Sequence, residues 1–402
     1  MFPLSNLHRD TARSKVRLRK NVLWFIAVLI AAFAFVPDLD SGPKLLWQGA
    51  HYSGQDRDAA IERGLQFIYR IASNPEYFDR WGHDLLFCFY GVANTSKNPK
   101  LRELARKMGR ERALAWRHDH PDPPTDDADE LYIYVMGAQA AEKFLGPDRR
   151  LRYRVQTAAN HFSAIDFMGF DAHLEPPPAD LPERCPKCNH KNPRGATVCQ
   201  KCQTALTFRD PYDVWLDALV ETYSGDAYGV KLGASYPDAL QWISKMRPYP
   251  PPADEDALDN VTYAITHVVY TLNDYHKYRL SPAWLPQEFK YLRTNIAEAE
   301  RYEDPEILGE FMDTLRAFGE DESSPEIRAG MDYLLSHQNP DGSWGEMDDS
   351  DIYTRYHTTW TAIDGLREYS YRGERLRLPQ MLPLLQGGAS AQSIERKPKA
   401  VN

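Results

Sequence analysis

The sequence predicts an all-α fold in which about six helix pairs close into an α/α toroid, and three features lead there. First, apolar residues recur at helical spacing from about residue 55 to 370, as in Ile61/Leu65/Ile68 and Leu101/Leu104/Ala105/Met108. Helices are expected near 57–72, 83–94, 99–117, 127–145, 149–165, 211–224, 236–247, 258–279, 286–302, 305–319, 325–337 and 355–370. Second, these stretches alternate in character. First members such as 101–117 and 287–301 are charged on one face, whereas second members such as 131–141 and 261–272 are apolar or aromatic nearly all round. An outer helix keeps one wet face and an inner helix is covered on most sides. Third, no alternating strand pattern appears outside a cysteine-bearing insert. The same pairs stacked without closing would form an open helical solenoid, which is the alternative.

The stretches before and after this body differ from it. Residues 1–20 form a basic arm with Arg9, Arg13, Lys15, Arg17, Arg19 and Lys20 against Asp10, a net charge of +5. The whole chain carries −9, so the remainder stands at −14, which excludes the phosphate backbone of a nucleic acid as a natural partner. Residues 21–37 contain an unbroken apolar run from Val22 to Val36, about 22 Å long as a helix at ~1.5 Å per residue. It is expected to be a single transmembrane anchor, with Arg19 and Lys20 snorkelling at its inner end. A cleaved signal peptide ending near Ala32-Phe33-Ala34 is the other reading. Either way the arm stays cytoplasmic and the body, 55–370, faces outward as a membrane protein of the periplasmic or extracytoplasmic side. Residues 387–402 read as a disordered tail.

Within 181–207 lie two C-x-x-C pairs, Cys185/Cys188 and Cys199/Cys202, separated by ten residues. Each pair turns two thiolates toward one tetrahedral ion, so the insert is expected to be a zinc ribbon with a closed, structural site and a surface for a protein partner. Asn189 follows the first pair, where the left-handed backbone conformation is required and Asn tolerates it. Thiolate zinc is commoner in reducing compartments, which pulls against an outward-facing body. Cys88 stands alone and reads as a small core residue.

The segment Gly330 to Gly345, GMDYLLSHQNPDGSWG, resembles the QW repeat of squalene–hopene cyclases and related terpene cyclases. In that family the Gln (here Gln338) caps an outer-helix end and the Trp (here Trp344) packs under the turn. A degenerate copy runs through Arg63, Gly64, Phe67 and Ile68, followed by Trp81-Gly82. Tyr356-His357-Thr358 looks like the start of an inner helix in protein prenyltransferase β subunits, whose His is a zinc ligand. The partner Asp and Cys of that family lie on the preceding inner helix, and residues 305–319 contain no Cys. Asp127-Ala128-Asp129-Glu130 resembles the Asp-x-Asp-Asp acid of class II cyclases except in its last residue. The resemblance implies a toroid whose bore takes an isoprenoid or other hydrophobic, lipid-like molecule near a membrane.

Candidate site residues follow from where inner helices begin. Asp127 and Asp129 would supply a proton. His83 and His357, on the first and last inner helices, would meet across the closed ring. With Asp84 or Asp127 they would form an acid/base set or hold a second, pore metal. His267, on an apolar helix, needs a polar partner. Three functions remain open: a cyclase- or transferase-like enzyme, a glycan-processing toroid of the cell envelope using a carboxylate pair, and a non-catalytic scaffold.

Overall fold

The computed structural model describes residues 52–387. The basic arm, the anchor or signal segment, and the tail from residue 388 lie outside them. The described chain is helical with isolated β-bridges only, so the all-α class stands. No described helix is long and apolar enough to cross a membrane.

Helix boundaries follow local chemistry. Six α-helices begin on Pro: α2 (Pro75–Thr95), α3 (Pro99–Asp119), α7 (Pro211–Tyr228), α11 (Pro286–Arg301), α12 (Pro305–Ala317) and α13 (Pro325–Ser336). Pro suits that position because its missing N–H has no intrahelical partner there. Asn74, Asn98, Asp210 and Asp304 precede four of these prolines and accept hydrogen bonds from first-turn N–H groups. Asp127, Asp148, Asp254 and Asp351 do the same for α4 (Ala128–Leu145), α5 (Arg149–Ala159), α10 (Glu255–Leu272) and α14 (Ile352–Leu366). Ser53 closes a capping box with Asp56 on α1 (Gly54–Ala72). The remaining pieces are short: α6 (Ala164–Met168), α8 (Tyr236–Leu240), α9 (Ile243–Met246) and α15 (Leu382–Leu385).

Four expected helices change. The helix expected at 83–94 starts at Pro75, because Asn74-Pro75 begins it rather than ending the one before. His83 and Asp84 therefore sit more than two turns inside α2. The stretches 149–165 and 236–247 each break in two, at Asn160–Ser163 and Gln241–Trp242. The stretch 258–279 ends at Leu272, where Asp274, Tyr275 and His276 follow in the left-handed conformation with φ of 57°, 50° and 63°.

Six helices pack in a circuit: α2 on α4, α4 on α7, α7 on α10, α10 on α12, α12 on α14, and α14 back on α2. The others lie outside it, with α1 against α2 and α14, α3 against α2 and α4, α8 against α7, α11 against α12, and α13 against α12 and α14. The α12 and α14 backbones cross in direct contact. A Cβ on Gly309 would fall 2.5 Å from the Thr361 carbonyl oxygen, so no side chain fits there.

Where the first helix meets the last, the Gly330–Gly345 segment supplies the contacts. Gln338 Nε2 donates to the Ala60 carbonyl on α1 at 2.8 Å, and Arg63 donates to Gln338. Trp344 is fully buried and donates to the Leu334 carbonyl at 2.7 Å. Its ring lies over Gly64, where a Cβ would come within 3.0 Å of it. Gly342 has φ of 92°, and a Cβ there would strike the Arg63 carbonyl at 2.6 Å. After α14 the chain runs along the far rim. Ser370 N–H donates to Thr95 O, Arg372 N–H to Lys277 O, and Arg377 N–H to Leu272 O.

Candidate functional site

Enclosed by the circuit is a cavity of about 420 Å³ into which all six inner helices send side chains. Its acids are Asp84 from α2, Asp226 from α7, Asp274 from the turn after α10, Glu310 and Asp313 from α12, and Asp364 from α14. Its histidines are His267, His276 and His357, and its walls are rich in Tyr, with Trp360 from α14.

Each acid has a defined environment. Glu310 is buried and accepts from the Tyr270 hydroxyl at 2.8 Å. Burial pushes its pKa up to about 7 against the influence of His357 and its hydrogen-bond donors. Asp84 is buried, accepts from the Tyr356 hydroxyl at 3.1 Å and lies 3.9 Å from His83 Nε2. Tyr275, Tyr353 and His357 each sit in the field of both Asp84 and Glu310, so the two carboxyl groups face a shared space. Asp313 pairs with His276 Nε2 at 2.9 Å and takes the Tyr369 hydroxyl. Burial raises its pKa, but the His276 charge and these hydrogen bonds outweigh that and hold it below the usual range. Asp364 accepts from Trp360 Nε1 at 2.8 Å and from Arg367 Nε at 2.6 Å.

Two of the expected histidines line this cavity. His357 Nδ1 donates to Glu306 Oε1 at 2.9 Å, and Glu306 also accepts from Thr358 and Tyr263. Burial lowers the His357 pKa, but the charge of Glu306, that hydrogen bond, and the charges of Glu310 and Asp84 raise it overall. His267 Nδ1 donates to the Tyr263 carbonyl at 2.8 Å. His83 is buried beside the cavity but is not among its lining residues, and burial lowers its pKa.

Asp127 and Asp129 are also outside the lining. Asp127 caps α4, accepting from the N–H groups of Asp129 and Glu130 at 2.8 and 3.1 Å. Asp129 binds the cysteine insert through Arg184 and through Lys191 Nζ at 2.9 Å. Lys191 also donates to the Asp166 carbonyl at 2.7 Å, so the insert is fastened to α4 and α6 together. Cys88 is buried in the core, and burial pushes its thiol well up.

The four remaining cysteines gather at one point, with Sγ atoms all within 4.8 Å of one another. Cys185 and Cys202 are 3.3 Å apart, Cys188 and Cys199 3.7 Å, both beyond the ~2.05 Å of a disulfide. Tetrahedral thiolates at ~2.3 Å from an ion stand about 3.8 Å apart, so the set suits a metal. The two halves repeat one turn. Asn189 N–H donates to Cys185 O at 2.8 Å and Gln203 N–H to Cys199 O at 2.9 Å. Asn189 and Gln203 take φ of 55° and 60°, as expected of the first and unforeseen in the second. Among the described residues no other group of three or more His, Cys, Asp or Glu side chains is gathered this closely, and His83, His357 and Asp84 are not.

Glu310, Asp313, His276, Asp364 and Arg367 were not singled out in the sequence. The signal was there: Glu306, Glu310 and Asp313 recur at helical spacing along a helix whose only other polar side chains are Thr314 and Arg316. Tyr353, His357, Trp360, Asp364 and Arg367 do the same on and just after α14. Compared with known proteins, the chain matches no protein family, no curated protein and no solved structure.

Proposed function

We propose that this protein is an α/α toroid with a structural zinc ribbon, and that its bore hydrolyses a glycosidic bond by acid/base catalysis. The observation that carries this reading is the single cavity in which Asp84 and Glu310, from different helices, face shared space among hydroxyl-bearing and aromatic side chains. Glycoside hydrolysis needs two such carboxyl groups, one protonated and one ionised. Glu310 keeps its proton to about pH 7 and so acts as the acid, protonating the leaving oxygen. Asp84, from α2 on the other side of α14, acts on the attacking water. Tyrosine and Trp360 faces offer stacking surfaces for sugar rings, and the volume falls in the range of small-molecule sites.

The lining favours a glycan over the isoprenoid that the QW-like and Tyr-His-Thr motifs suggest. A hydrocarbon chain filling the bore would strip water from Asp84, Glu310, Asp313 and Asp364 and return no hydrogen bonds. It favours an enzyme over a scaffold, because the bore is an open cavity that holds acids and histidines rather than one packed shut by apolar side chains. Zinc is the metal assigned to the ribbon, since four thiolates close its tetrahedral shell and leave no position for substrate. The membrane anchor and outward-facing body fit an enzyme of cell-envelope glycans.

The test is release of reducing ends from a panel of envelope polysaccharides. Glu310→Gln and Asp84→Asn should each lower the rate by roughly 10²- to 10⁴-fold with the fold retained. Full activity in both variants on a glycan that the parent cleaves would remove these residues from the mechanism.

A further inference from the structure

Of the residues that line the cavity, His276 is only half provided for. It is 4% exposed, and its Nε2 pairs with Asp313 Oδ2 at 2.9 Å. Its Nδ1 is buried and has no hydrogen-bond partner among the described residues, and no other lining residue carries such an atom. The acids nearby are already engaged, Asp313 by the Tyr369 hydroxyl as well as by His276, and Asp364 by Trp360 and Arg367. A buried polar atom left unpaired carries its full desolvation cost, so a partner is expected. The ring is held in place by a turn built against steric resistance: Asp274, Tyr275 and His276 are successive left-handed residues and none is glycine. Asn273 Oδ1 accepts the His276 N–H at 2.9 Å, and the Tyr275 N–H donates to the Tyr270 carbonyl at 2.7 Å. Fastening this turn to α12 needs only Nε2 and Asp313, and that role does not account for the second nitrogen.

Position along the bore shows what Nδ1 would meet. Helices α12 and α14 run in the same direction, because Glu306 meets His357 and Thr358 while Gly309 meets Thr361. Asp84, held by the Tyr356 hydroxyl, is therefore level with Glu306. Glu310 is one turn further along α12, and Asp313 with His276 about one turn beyond that. Tyr270 links the last two: its hydroxyl donates to Glu310 at 2.8 Å, and its ring meets His276 edge-on with centroids 4.8 Å apart. The order along the bore is Asp84, Glu310, His276. With water activated at Asp84 and the leaving oxygen protonated at Glu310, the departing group lies on the His276 side.

We infer that His276 recognises the leaving group, and that this group is a sugar, one of whose hydroxyls completes the hydrogen bonding of Nδ1 while Asp313 holds the ring as a positioning residue. This rests on the glycan reading above and extends it to what stands on the far side of the broken bond. A hydroxyl suits this atom in either state of the ring: it donates to Nδ1 of the neutral imidazole and accepts from Nδ1–H of the imidazolium. An aryl or lipid leaving group offers neither, so the bore selects a glycan chain over a glycoside with an apolar leaving group.

The experiment measures kcat/KM of the full chain on matched pairs of substrates that differ only in the leaving group. The glycan cleaved in the panel above is paired with the 4-nitrophenyl glycoside of the sugar on its retained side. Two variants separate recognition from support. His276→Gln keeps an amide where Nε2 stands, within reach of Asp313, and removes the group at Nδ1. His276→Asn keeps an amide where Nδ1 stands and gives up the bond to Asp313. The ratio of glycan to nitrophenyl rate is the readout, because partial loss of folded enzyme lowers both rates and cancels. The expected result is a ratio lowered roughly tenfold to a hundredfold by His276→Gln and largely restored in His276→Asn. A ratio unchanged in His276→Gln, or lowered more by Asn than by Gln, would make His276 a support for Asp313 alone and overturn the inference, with the glycan reading left standing. A parent that cleaves nitrophenyl glycosides and no glycan would also overturn it. A parent that cleaves neither would overturn the glycan reading and this one with it.

Discussion

Replacing Glu310 with Gln should make the protein more stable in alkali while disabling it. Folding raises the pKa of this carboxyl from an ordinary 4.5 to about 7, chiefly through burial. Below about pH 4.5 the folded and unfolded chains both carry the proton, and the group does not affect the balance. Between those values the folded chain alone holds it, so stability falls by ~1.4 kcal/mol per pH unit. Above pH 7 the full cost of ionising a buried acid is present, about 3 kcal/mol. Gln has the same shape, still accepts from the Tyr270 hydroxyl, and does not titrate. Urea denaturation of parent and variant at intervals from pH 4.5 to 8.5 reads the difference. The two should agree at the acid end and separate by about 3 kcal/mol in the variant's favour at the alkaline end. Parallel stability curves would show that Glu310 titrates normally, and the assignment of a neutral-pH proton donor would fall with them.

Three further outcomes are expected. Trp344→Ala removes a fully buried indole and its hydrogen bond from the junction of the first and last pairs, and should cost about 3–5 kcal/mol by chemical denaturation. Cys199→Ser/Cys202→Ser should take the metal content measured by elemental analysis from one ion per chain to none, with hydrogen exchange accelerated in residues 181–207. Asp129→Ala frees Arg184 and Lys191 and should loosen the insert at a cost of about 1–3 kcal/mol, with the metal retained. Loss of the metal from that variant would mean that docking to α4, and not the cysteine turns, organises the site.

Much of this was legible in the sequence because it rests on local chemistry. Asn or Asp before Pro marks the helix starts at Pro75, Pro99, Pro211 and Pro305, and only at the first of these was the helix expected to begin later, at residue 83. The cysteine turns are equally local, and Asn189 gave away the left-handed position. The Gly330–Gly345 segment was recognisable because its glycines and Trp344 meet demands that no other residues satisfy. The bore was harder. Which face of an inner helix looks inward depends on how six helices are rotated against one another, and no short window of sequence contains that. Attention to helix starts therefore found Asp127 and Asp129, whose carboxylates are occupied by a cap and by the insert. It passed over Glu310, which lies deeper on α12. His276 was hidden for another reason. It reaches Asp313 only because three consecutive residues adopt a left-handed turn, a conformation that Asp274-Tyr275-His276 does not advertise.

The hydrogen bond from Gln338 to Ala60 spans 278 residues of sequence, and that separation matters while the protein is being made. Helix α1 leaves the ribosome long before α13 and α14, the helices that cover its inner face. At about 5–20 residues per second, the surface around Gly64 and Leu65 waits roughly 15–55 seconds for Trp344 and Ile363 to arrive. A chain truncated before α14 has lost the helix that completes the circuit, and with it His357, Trp360 and Asp364. Incomplete products therefore lack part of the cavity wall and leave the α1 face uncovered.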